Sequence, residues 1–139
     1  MRIISGSKKS ITIIAPKDLP SRPTTDKVKE SLFNILINRF QIDEVKVLDL
    51  FAGTGNISYE FSSRGAKKIF SVDNNVKCIK FIKQTSLKHG FDIIVKRNDY
   101  IDFLIKTDEN FDIIFVDPPY LFSEDKYFEI LTIIKQKNV

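Results

Sequence analysis

The sequence predicts an α/β domain whose parallel sheet is covered by helices on both faces. Three observations predict it. From residue 45 onward, four short apolar runs alternate with segments of helical spacing, the pattern that parallel strands joined by crossover helices produce. The first run leads straight into a glycine-rich turn that opens a helix. The other three each reach an aspartate, Asp73, Asp99 and Asp117, which places acids along one edge of the sheet.

Taken in order, residues 2–5 and 10–15 are β-rich and flank Gly6-Ser7-Lys8-Lys9, which reads as a hairpin with a basic tip. Pro16, Pro20 and Pro23 then forbid regular structure up to Thr24. A helix follows, with Val28, Leu32, Ile35/Leu36 and Arg39/Phe40 as its stripe and Thr24, Thr25 or Asp26 as its cap. Val45–Phe51 is the first strand, and the helix after the glycine turn, Asn56–Arg64, stops at Gly65. Ile69–Val72 is the second strand. Asn74 or Asn75 caps the next helix, whose stripe is Val76, Ile79 and Ile82 and whose end is Gly90. Ile93–Val95 is the third strand, residues 100–106 a short helix, and Phe111–Val116 the fourth and most apolar strand. Glu124–Lys135 is the last helix. The expected organisation is a basic hairpin arm and linker over residues 1–23 and a sheet domain over 24–139.

Composition narrows the function classes. The 139 residues, 42% hydrophobic and 29% charged, suit one domain with a core that needs no disulfides. Cys78 is the only cysteine and His89 the only histidine, so a Cys/His metal cluster is excluded and no metal is expected. Both read as structural residues, Cys78 half-buried on its helix and His89 at a helix end. No apolar run approaches the roughly 18 residues of a membrane span, and the Met-Arg-Ile-Ile start has no signal-peptide core, so a cytoplasmic protein is expected. The net charge of +4 is uneven. Residues 1–40 carry eight Lys/Arg against three acids, +5, and the rest carry 14 against 15, −1. A cationic end suits a polyanion such as nucleic acid.

Asp49-Leu50-Phe51-Ala52-Gly53-Thr54-Gly55 lies where a turn lets backbone approach a nucleotide-like ligand. Ser58 stands where a dinucleotide fingerprint has its third glycine, which argues against a pyrophosphate-binding dehydrogenase, and the Gly-Lys-Ser/Thr of a P-loop is absent. Asp73, 20 residues after Gly53, is placed to accept both hydroxyls of a ribose.

Asp117-Pro118-Pro119-Tyr120 ends the fourth strand on the same edge. A planar exocyclic amine is a poor nucleophile because its lone pair is delocalised into the ring. The Asp117 carboxylate and the Pro118 carbonyl are acceptors that would draw its hydrogens out of plane, on a main chain whose prolines donate nothing. Tyr120 offers a face for an extruded base, worth about 1–3 kcal/mol.

With these residues in view, the chain resembles the class I, S-adenosylmethionine-dependent methyltransferases, and within them the RsmD family of 16S ribosomal RNA guanine-N2 methyltransferases. Met1–Gly6, Arg22–Leu36, Val47–Gly55, Ser63–Ala66 and Phe111–Tyr120 carry the likeness, which covers essentially the whole chain. The resemblance implies a Rossmann-like sheet and methyl transfer to guanine N2 in 16S ribosomal RNA or the small ribosomal subunit. It implies that Thr24 lies near the donor's amino-acid moiety and that Asp49 and Phe51, Ala52, Gly53, Thr54 and Gly55 form its cradle. Asp73, with Asn74 beside it, would hold the ribose and Asp99 the adenine amine, while Asp117, Pro118, Pro119 and Tyr120 would grip the guanine. Lys8, Lys9 and Arg22 are the candidate RNA contacts. The competing readings are an amino-methyltransferase acting on adenine or cytosine, and an RNA-binding module without catalysis.

Relatives of this kind continue into a fifth strand and a closing pair. Strands one to four are present here and the carboxyl-terminal strands are missing, so the fourth strand is expected at an edge, where self-association through it is possible. Ser58 and Tyr59 are bulkier than the residues many relatives carry and are expected to alter how closely their helix approaches the cradle.

Overall fold

A computed structural model describes residues 1–20, 24–119 and 121–139. Its elements are α1 (Asp26–Ile37), β1 (Lys46–Asp49), α2 (Asn56–Ser63), β2 (Lys68–Asp73), α3 (Val76–His89), β3 (Ile94–Arg97), α4 (Tyr100–Lys106), β4 (Ile113–Phe115) and α5 (Glu124–Lys137). The strands form one parallel sheet in the order β3-β2-β1-β4. β1 lies inside it, paired with β2 from Lys46↔Lys68 to Asp49↔Ser71 and with β4 from Val47↔Ile113 to Asp49↔Phe115.

Side chains alternate across the sheet, as the period of two requires. Val47 and Ile69 join Phe33 of α1 and Ile57 and Phe61 of α2 in one cluster. Leu48, Phe70 and Val72 turn the other way, onto Phe103 and Leu104 of α4 and Ile130 of α5. Asp49 is therefore in phase with Val47, and Ser71 with Ile69, on the α2 side. At the edge where β1 and β2 begin, Glu109 pairs with Lys46 at 2.5 Å and Lys68 at 2.6 Å, which pulls its carboxyl below the ordinary range.

The expected elements are all present, with differences that have local causes. Thr25 caps α1 by accepting from the Val28 amide, and Asn75 caps α3. Of the expected α1 stripe, Leu32, Leu36 and Phe40 pack partly buried against the core, whereas Val28 and Ile35 are exposed and the fully buried positions are Lys29 and Phe33. Likewise Val76, the first residue of α3, is exposed, and burial begins at Cys78 and Ile79. Cys78 is buried, not half-buried, and its thiol is pushed up to about 11 by desolvation.

The amino-terminal hairpin closes through one isolated antiparallel bridge, Arg2↔Thr12, in place of two regular strands. The Ile3 amide donates to the Ile11 carbonyl, Ser10 to Ile3 and Ile13 to Met1 across it, while other amides are drawn elsewhere. Ile4 and Ser5 donate to the Glu60 carboxylate at 2.8 and 3.1 Å, and Ser7 and Lys8 donate to Ser63 of α2. Ser10 turns the chain with a φ of 73°. Ile3 and Ile13 are buried against Tyr59, Ile82 and Phe91, so the segment packs on α2 and α3. Among the described residues no helix is long and apolar enough to cross a membrane.

Candidate active site

The carboxyl ends of β1, β2 and β4 open onto a cavity of about 820 Å³. Open α/β sheets bind their ligands at this edge. The turn after β1 forms its floor. Gly53 and Gly55 have φ of 56° and 87°, conformations that L side chains rarely adopt. A Cβ on Gly55 would also lie 2.6 Å from the Tyr59 ring. The turn is pinned from both sides, with the Ala52 amide bonded to the Val72 carbonyl and the Leu50 amide to the Phe115 carbonyl.

Asp73 lines the cavity and braces this turn. Its carboxylate accepts the Gly53 amide and the Asn75 amide, both at 2.9 Å. Asp49 also lines the cavity but is only 1% exposed. Burial pushes its carboxyl up to about 7, and the Asp73 and Asp117 charges push the same way. Hydrogen bonds from Ser58, one from its hydroxyl at 2.8 Å, act against them.

The cavity gathers most of the expected site residues. Thr24, Phe51, Ala52, Thr54 and Asn74 line it with Asp49, Gly53 and Asp73, and Asp117, Pro118 and Pro119 close the side beyond β4. Gly55 stands behind the turn as the first cap of α2. Asp99 is the N-cap of α4, accepting the Ile101 and Asp102 amides, and the wall there is made by its neighbours Asn98 and Tyr100. Tyr120 and Arg22 lie outside the described residues.

Lys8 and Lys9 are not brought to the cavity. The Lys8 amide is tied to Ser63, at the far end of a helix about 12 Å long whose other end faces the cradle. The Lys8 ammonium lies near Gly90, at the negative end of α3.

Several residues that line or support the site carried no motif. Phe51, Tyr100 and Phe122 form an aromatic cluster at the cavity, with ring centroids 5.0–5.4 Å apart. Tyr100 could have been found as the residue after the third strand-end acid. Asn56 joins the wall to a buried polar network. Its side chain donates to the Thr24 carbonyl at 3.1 Å and accepts from Lys29 at 2.8 Å. Lys29, fully buried, also donates to the Arg2 carbonyl and lies 3.4 Å from Glu60, itself paired with Arg64 at 2.7 Å. Burial pulls the Lys29 ammonium below its ordinary value, and Glu60 opposes the shift. The available signal was a lysine one turn before Phe33 on α1.

The cavity fits S-adenosylmethionine. Acids face it from β1, β2 and β4, an aromatic cluster suits a purine, and the glycine turn leaves backbone where side chains would intrude.

Comparisons with known proteins match the chain to a family and to relatives named as methyltransferases. The sequence profile of a family described as conserved hypothetical protein 95 matches residues 1–139. "Putative rRNA methyltransferase YlbH" of Bacillus subtilis is 40% identical over 141 residues, covering 98% of this chain and 74% of that protein. "Ribosomal RNA small subunit methyltransferase D" of Escherichia coli is 34% identical over 122 residues, covering 86% of this chain and 60% of that protein. Among solved structures, "Putative methyltransferase yhhF" from Escherichia coli superposes with a TM-score of 0.83 at 30% identity, over 99% of this chain and 73% of that one. A hypothetical protein of Thermus thermophilus superposes with a TM-score of 0.85 over 95% of this chain and 77% of that one. At 24% identity it speaks for the fold alone. The expected Rossmann-like methyltransferase fold is the one observed.

Proposed function

Because the chain belongs to the family described as conserved hypothetical protein 95, the RsmD family, we propose that it methylates the exocyclic N2 amine of a guanine in 16S ribosomal RNA, using S-adenosylmethionine. The observation that carries this reading is the convergence of the Gly53–Gly55 turn, Asp73 and Asp117-Pro118-Pro119 on one cavity. The relative named for the ribosomal small subunit supports the substrate, which would be met in the cytoplasm as RNA or assembling subunit.

Thr24, Asp49 and the turn after β1 would hold the donor's amino-acid end, and Asp73 its ribose. Phe51, Tyr100 and Phe122 would flank its adenine, with Asp99 near the adenine amine. When bound, the donor supplies a methyl carbon on a positively charged sulfur. The chain's own contribution is placement. Asp117 accepts one hydrogen of the target amine and the Pro118 carbonyl the other, which holds the nitrogen lone pair toward the donor side of the cavity. Tyr120 is assigned the stacking face for the extruded base.

The test uses tritiated donor with unmodified small subunits, naked 16S RNA and duplex DNA. Label recovered as N2-methylguanosine from RNA is the expected result. Label on DNA or on adenine or cytosine would replace the substrate, and RNA retained without label would leave a binding module. Asp117→Ala should abolish transfer while donor affinity by calorimetry stays within about twofold, and retained turnover would remove its role.

A further inference from the structure

We infer that Ser58, backed by Ser71, is a positioning residue that orients the Asp49 carboxylate and favours its charged form for the cationic end of the donor; this rests on the donor-binding reading above. Ser58 sits on the third position of α2 with its side chain fully buried, and its hydroxyl donates to Asp49 Oδ2 at 2.8 Å. The Ser71 hydroxyl, fully buried on β2, is in hydrogen-bond contact with the same oxygen of Ser58. A serine hydroxyl has one proton. When Ser58 gives its proton to Asp49, the Ser58–Ser71 bond must be donated by Ser71, so the chain runs Ser71 to Ser58 to Asp49.

This support matters because of what else faces Asp49. The titratable groups around it are Asp73 at the end of β2, Asp117 beyond β4 and Tyr59 on α2. Desolvation is the largest influence against the charged form, and the two acids add to it. Hydroxyl and amide donation from residue 58 stabilises the charged form against them. A cationic ligand in the cavity favours the same form, so ligand uptake and loss of the Asp49 proton are linked. A glycine at position 58, as in a dinucleotide fingerprint, would leave only the amide.

The test is calorimetric titration of the full chain with S-adenosylmethionine between pH 5.5 and 7.5, in two buffers of different ionisation enthalpy. The ligand's own ammonium titrates with every variant, so each profile is read against Asp49→Asn. Wild type should bind more tightly as pH rises toward about 7 and release a proton on binding at pH 6, whereas Asp49→Asn should do neither. Ser58→Ala should move the rise upward by about one pH unit, about fivefold weaker binding at pH 7 and about tenfold at pH 6 and below. Ser71→Ala should move it the same way by less, which keeps the inference testable if Ser58→Ala does not fold. A Ser58→Ala profile parallel to wild type, or lowered equally at every pH, would overturn the inference while leaving donor binding intact. No binding by folded wild type at any pH would overturn the donor-binding reading itself.

Discussion

Replacing Asp49 by asparagine should make the donor-free protein more stable at neutral and alkaline pH. Asp49 is 1% exposed and its carboxyl stands at about 7 in the fold against an ordinary 3.8. The cause is desolvation first, with Asp73 and Asp117 adding to it against the Ser58 hydrogen bonds. A carboxyl whose pKa is raised by folding binds its proton more tightly in the folded chain than in the unfolded one. Its contribution to stability is therefore complete below about pH 4 and is lost as pH rises toward 7. At about 1.4 kcal/mol per unit, the roughly three units correspond to about 4 kcal/mol, large beside the 5–15 kcal/mol of a typical domain. Asparagine keeps the shape and the acceptor for Ser58 but cannot ionise. Urea denaturation of both proteins from pH 4.5 to 8 reads the difference directly. The advantage of Asp49→Asn should grow by about 2–4 kcal/mol across that range and level off above 7. Parallel stability curves would refute the assignment of a buried, neutral-favoured carboxyl.

Two other perturbations follow from the same geometry. Lys29→Met leaves the Arg2 carbonyl and the Asn56 side-chain oxygen without their donor and Glu60 with Arg64 as its remaining cation, and should cost about 2–4 kcal/mol by urea denaturation, with stability within about 0.5 kcal/mol of wild type refuting the role of the buried ammonium. Gly55→Ala forces a side chain into a φ of 87° and against the Tyr59 ring, and should lower stability by at least about 1–2 kcal/mol and weaken donor binding, as read by thermal melts with and without donor.

The order of strands and helices was legible because each carries its own period and its own stop. Asn75, Gly65 and Gly90 mark helix ends that local chemistry decides. The cavity was legible for a related reason: parallel strands put all their carboxyl ends on one edge, so Asp49, Asp73 and Asp117 converge wherever the register falls. What periodicity could not supply was the burial of Lys29 on α1. Val28 and Lys29 are neighbours, and only the buried partners Glu60, Asn56 and the Arg2 carbonyl make the lysine the inward residue. Those partners come from two distant segments. The hairpin was legible, and the Arg2↔Thr12 bridge closes it; what the sequence did not show is that Glu60 and Ser63 take the Ile4, Ser5 and Lys8 amides, which leaves the pairing short. Ser58 read as a missing glycine, because its worth depends on Asp49 and Ser71, which meet it only across the sheet. Charge counting likewise marked Lys8 and Lys9 as cationic without showing that their loop folds toward the helix ends away from the cavity.

Equilibrium dialysis of the folded chain against labelled S-adenosylmethionine tests the cavity assignment most directly. The account predicts saturable uptake of one equivalent, and affinity at least tenfold weaker for Asp73→Ala, the loss of about 1.5–3 kcal/mol expected for a charge-assisted hydrogen bond. Undetectable uptake by the wild-type chain, or equal affinity in Asp73→Ala, would contradict it.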